Sequence, residues 1–196
     1  MLRSGRGKAP LHWLLALALT AATAQANADQ ALYKHCSACH QADGSGTPGL
    51  APPLTGAHRE RLLRERAAAA QERSDRRAAI DYMLHCSGCH GMDGSGVPAQ
   101  GIPDFRNQIG YFQRLPEGRA FLMQVPGLLN AGLPDDRRAA LTTWLVRTFA
   151  GPSLAPDAQP YTASEAREYR ENRPADIAGT RKRLYEELRA AGYAIR

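Results

Sequence analysis

All four cysteines of the chain stand in two copies of one frame, His35-Cys36-Ser37-Ala38-Cys39-His40 and His85-Cys86-Ser87-Gly88-Cys89-His90. Thiols about one helical turn apart can add to the two vinyl groups of a porphyrin. The histidine directly after the second thiol then lies beneath the ring as an axial iron ligand. Cys36 and Cys39 with His40, and Cys86 and Cys89 with His90, are therefore read as two covalent haem c attachment sites.

Other chemistry fits the spacing less completely. The four thiols could form a tetrahedral zinc site, but zinc explains neither the histidine after each pair nor the shared extension. Thioredoxin-like exchange needs one C-x-x-C in a strand–helix–strand setting, and no strand pattern surrounds either motif. Plain disulfides do not require the histidines. The similarity also runs on: HCSACHQADGSGTP from His35 and HCSGCHGMDGSGVP from His85 agree at 10 of 14 positions, at an offset of 50 residues. A repeat of this quality argues for duplicated function.

The residues around the second copy resemble a class I c-type cytochrome. Tyr82 stands four positions before Cys86, Asp93-Gly94-Ser95-Gly96 follows the motif, and Pro103 lies in the loop beyond. Next come Phe121-Leu122-Met123-Gln124-Val125-Pro126-Gly127 and an apolar helix carrying Trp144. The resemblance implies an all-α fold, with His90 below the iron and a methionine above it. It also implies that the Pro103 carbonyl accepts the Nδ1–H of His90, a bond that fixes the ring and its tautomer. Met123 is the methionine expected to ligate: Met92 is too close to His90 in sequence, and Met83 reads as core packing. A His/Met pair suits electron transfer, because it leaves no site for substrate.

The first copy is abbreviated. Gly49-Leu50-Ala51-Pro52-Pro53-Leu54 resembles the proline loop, with Pro53 aligned to Pro103 at the repeat offset. No methionine lies between His40 and Ile80, so the sixth ligand there is unsettled, with His58 as a candidate for a bis-histidine pair.

These sites need elements to position them. Short helices are expected over Gln30–Cys39 and Ala78–Cys89, each feeding a motif, with an Ala/Arg/Glu-rich helical connector between. Arg119–Gln124 reads as a short helix, and Asp135-Asp136 open a helix burying Leu141, Trp144, Leu145, Thr148 and Phe149. Thr162 and Glu165 form a capping box for a helix ending near Asn172. A last helix from about Asp176 to Ala190 stops before Gly192. This tail holds no Cys, His or Met and reads as an appendage packed on the domain. The domains are thus a leader over 1–28, an abbreviated haem repeat over 29–58, a connector over 59–76, a cytochrome c domain over 77–150 and a helical tail over 151–196.

The leader is a secretory signal: Arg3, Arg6 and Lys8, an apolar run from Leu11 to Ala22, then two A-x-A frames ending at Ala28. Export to the bacterial periplasm follows, with no membrane span after cleavage. The formal charge of +6 falls to +3 without Arg3, Arg6 and Lys8, and haem propionates reduce it further, so nucleic acid is not expected as a partner. The expected function is electron transfer through haem, from a periplasmic dehydrogenase to a cytochrome or oxidase. A peroxidase-like enzyme or ligand sensor, with an open sixth position at the first haem, is the rival reading.

Overall fold

From Ala57 to His85 the sequence has neither glycine nor proline and is rich in Ala, Arg, Glu and Leu, the strongest helix formers. In the computed structural model, which describes residues 35–196, this stretch is one helix, Gly56–His85. The leader expected over 1–28 lies outside the described residues. In chain order the helices are α1 (Ser37–His40), α2 (Gly56–His85), α3 (Ser87–His90), α4 (Pro116–Gln124), α5 (Pro126–Leu129), α6 (Asp135–Phe149), α7 (Ala163–Glu171) and α8 (Ile177–Ala190). Two isolated antiparallel bridges, Thr47–Ala51 and Val97–Ile102, are the only β pairing among the described residues. The fold is all-α. Among the described residues no helix is long and apolar enough to cross a membrane.

The connector and the helix expected from Ala78 are therefore one element, because nothing between them breaks the backbone. Its N-terminal part is solvated, held by exposed i,i+4 pairs such as Glu60–Arg64, Arg61–Glu65 and Glu72–Arg76. Such pairs contribute only about 0.3–0.5 kcal/mol each. The chain divides into two compact units after Ala68, within this helix.

The described part of the N-terminal unit buries only Gly44 and Gly46 and has no apolar interior. The C-terminal unit has two apolar clusters. One gathers Tyr82, Met123, Leu128, Leu141, Val146 and Phe149; the other joins Phe112 and Phe121 to Leu184, Leu188 and Ile195. On α6 the buried arc runs through Leu141, Thr142, Leu145, Val146 and Phe149. Thr148, expected on this face, is exposed, because the arc is rotated toward Thr142 and Val146. Trp144 is half-buried against Tyr82 and Phe149, at ring-centroid distances of 5.5 and 5.8 Å. The entering helix is locked to α6 by an ion pair: Arg137 Nε donates to Asp81 Oδ2 at 3.1 Å, and a second bond joins its Nη2 to Oδ1.

The tail is fastened by Arg119 of α4. Its guanidinium donates to Glu165 Oε1 at 2.8 Å and to the carbonyls of Gln159 and Pro160, and it lies 4.0 Å over the Tyr161 ring. Glu165 also closes the capping box on Thr162, as the T-x-x-E spacing requires. Burial alone would raise the Glu165 pKa, but the hydrogen bonds from Arg119 and Thr162 hold it below the ordinary value. A depressed carboxylate stabilises the fold above its unfolded pKa of about 4.3, and that stability is lost as pH falls through the folded value. Glu165→Gln should therefore lower the urea midpoint at pH 7. The gap from the native chain should narrow as pH falls below about 4.3 and through the lower folded value; a gap unchanged with pH would remove this contribution.

Candidate haem-binding site

At the end of α2 the chain turns into α3, with Cys86 N donating to Tyr82 O at 2.8 Å and His90 N to Cys86 O at 2.9 Å. The Tyr82 hydroxyl ties the motif's exit by donating to Gly91 O at 2.5 Å. The following loop folds back through Gly96 N to His90 O and Phe105 N to Gly94 O. Gly96 is required here: its φ is +61°, and a Cβ would lie 2.4 Å from Pro103 O. The close approach places Pro103 O at 3.2 Å from His90 Nδ1, the contact the resemblance implies. Nδ1–H then donates to the carbonyl, and Nε2 is left with its lone pair for a metal. Phe105 stacks on the imidazole at 4.0 Å between centroids, with planes 19° apart. Burial lowers the His90 pKa, despite the opposing effect of the Pro103 bond, which keeps the ring in the neutral form a metal requires. Burial also pushes the half-buried Cys86 thiol up to about 11 and the Tyr82 phenol up to about 12.

The first copy repeats this geometry. Gly46 N donates to His40 O at 3.0 Å, Leu54 N to Gly44 O at 2.8 Å, and His40 Nδ1 lies 2.8 Å from Pro52 O. The expected counterpart of Pro103 was Pro53; the structure assigns Pro52. The bridge Thr47–Ala51 is one residue shorter than Val97–Ile102, so the repeat offset changes from 50 to 51 inside the loop. Cys36 and Cys39 are exposed. His58, at the start of α2, accepts from Arg61 on Nδ1 at 3.0 Å, while its Nε2 is enclosed without a hydrogen-bond partner.

In the C-terminal unit a cavity of about 300 Å³ opens beside the motif. Cys86, Cys89, His90 and Pro103 form one part of its lining. Leu122 and Val125 around α4, Leu128 of α5, Thr142 and Leu145 of α6, and Arg181 and Tyr185 of α8 complete it. The lining is overwhelmingly apolar, as a porphyrin plane needs. Thr142 is the polar exception in the interior. It is 1% exposed, and its Oγ1 has no hydrogen-bond partner, a condition that costs about 1–3 kcal/mol in an unfilled site. An apolar, thiol-edged cavity beside a neutral imidazole fits a porphyrin, and Cys86, Cys89 and His90 are the residues that would hold a haem.

The structure does not bring Met123 to this cavity. Phe121, Leu122 and Val125 line it, whereas Met123 is 1% exposed within the Tyr82–Leu128 cluster. Sequence separation from His90 let the chain reach the site, but the helical phase of α4 turns Met123 away from its neighbours on the lining. Met83 and Met92 are exposed. Conversely, sequence reasoning missed α8. Arg181 and Tyr185, one turn apart, line the cavity, and Arg181 Nη1 donates to Gly101 O at 3.2 Å. Their i,i+4 spacing beside Leu184 was the available signal.

Comparison with known proteins adds an independent line. The cytochrome c family profile matches residues 26–81, which hold the first copy of the motif and most of α2. Cytochrome c-552 of Thermus thermophilus is 45% identical over 53 residues, covering 26% of this chain. The chain spans about a third of that relative's length, 36%. No solved structure matches the chain. The profile falls on the first copy and the cavity on the second, yet both copies build the same histidine–proline clasp. That shared geometry and the family match support a c-type cytochrome.

Proposed function

We propose that the chain is an exported periplasmic electron carrier bearing two haems c, one on Cys36, Cys39 and His40 and one on Cys86, Cys89 and His90. The observation that carries this reading is the duplicated clasp, in which a backbone carbonyl holds each motif histidine by Nδ1 and leaves Nε2 for iron. When bound, haem supplies reversible one-electron chemistry at iron. The chain's own residues attach it, fix the imidazole tautomer and exclude water from one side. His58, whose Nε2 lacks a partner, is the protein nitrogen proposed for the sixth position of the first haem.

The electron donor is proposed to be a periplasmic dehydrogenase and the acceptor a cytochrome or terminal oxidase. Covalent attachment suits an open compartment, since the cofactor cannot be lost by dilution. The test is the intact mass of the chain matured with the host's haem-attachment machinery. Two covalent haems are expected, falling to one in Cys36→Ala/Cys39→Ala and in Cys86→Ala/Cys89→Ala. A native chain with a single haem would refute the two-haem reading.

A further inference from the structure

The cavity beside the second motif combines two features that ordinary electron transfer does not use. The first is its choice of side chains. The described methionines are in the core (Met123) or exposed (Met83, Met92), and none lines the cavity. The two imidazoles that do are His90 and His85; His85 immediately precedes Cys86 and so belongs to the attachment edge. The helices completing the cavity contribute Leu122, Val125, Leu128 and Leu145, which cannot coordinate iron.

The second feature is Thr142. A helical threonine commonly bonds the carbonyl four residues back, and the adjacent Thr143 does so, with Oγ1 at 2.8 Å from Ala139 O. Thr142 Oγ1 makes no such bond and is buried in the lining. A hydroxyl kept free inside an apolar wall is a donor awaiting an acceptor. The lining also carries Asp104 and Arg181, of opposite charge; with these balanced, the mostly apolar walls favour a small uncharged acceptor over an anion, because burying an unpaired charge is far more costly.

We propose that the second haem site is a binding site for a neutral diatomic ligand, with no protein group on the sixth position of the iron held by His90 and with the Thr142 hydroxyl donating to the ligand. This rests on haem attachment at Cys86 and Cys89, the reading given above.

The test uses full-length Cys36→Ala/Cys39→Ala protein, so that the second haem reports alone, with carbon monoxide as the probe. Intact mass first establishes that haem is attached; a chain without haem would sink the underlying attachment reading instead. The reduced haem-bearing protein should bind carbon monoxide, seen as a Soret shift. Thr142→Val, which preserves shape and removes the hydroxyl, should weaken binding about fivefold, the effect of one neutral hydrogen bond, and raise the carbon monoxide stretching frequency. Thr142→Ser should behave as the parent. A haem-bearing protein with no carbon monoxide response overturns the proposal, as does a Thr142→Val variant matching its parent in affinity and stretching frequency. Should the double cysteine variant fail to accumulate, Thr142→Val against the native two-haem chain reads the same infrared shift.

Discussion

Replacing Arg137 with alanine should destabilise the C-terminal unit, because it strands the buried Asp81 carboxylate without its partner. Asp81 is 1% exposed and takes both of its Arg137 bonds on opposite oxygens. Without the guanidinium its charge loses two fixed donors at the junction of α2 and α6. Urea unfolding of the holoprotein, followed by helix content, should show a lower midpoint at unchanged slope. Arg137→Lys should recover only part of the loss, because an ammonium cannot make the two-pronged contact. A midpoint shift equivalent to under about 1 kcal/mol would mean that solvent reaches Asp81 on the unpaired side.

Leu184→Ala should be nearly as damaging, at about 2–5 kcal/mol, the range for deleting a buried leucine side chain. Leu184 is fully buried and packs in the cluster of Phe112 and Phe121, both of which also line the cavity beside the second motif. Its loss should therefore reach the cofactor as well. The visible circular dichroism of the bound haem should change together with the urea midpoint. The exposed Lys182 on the same helix provides the contrast: Lys182→Ala should leave both within error, as surface changes stay within about 0.5 kcal/mol. Stability loss with an unaltered haem signal would make α8 a mere appendage.

A tail packed on the domain was the reading the sequence invited, and where α8 packs shows what a linear pattern conceals. The capping box at Thr162 and Glu165, the α6 start at Asp135 and the α8 limits were all readable, because each depends on residues within one helical turn. So was the His90–Pro103 contact, through family resemblance. The placement of Met123 was not, since it depends on the phase of α4, and a one-residue rotation exchanges core for cavity. The function of α8 was hidden for a different reason. Arg181 and Tyr185 are ordinary residues for a surface helix and acquire meaning only because Leu184 and Leu188 seat the helix against Phe112 and Phe121. The shift from Pro53 to Pro52 reflects a single deleted residue, invisible until the bridges fixed the register.

The contrast between the two clasps has a consequence for how the protein matures. The C-terminal unit possesses an interior of its own, so its motif can be presented on a folded platform. The described part of the N-terminal unit buries two glycines and little else. A porphyrin bonded to Cys36 and Cys39 would be the largest apolar object in that unit. Cofactor ligation and chain ordering would then be one event at the first motif and separable events at the second. During biogenesis the first motif would gain its apolar packing only as the thioether bonds close.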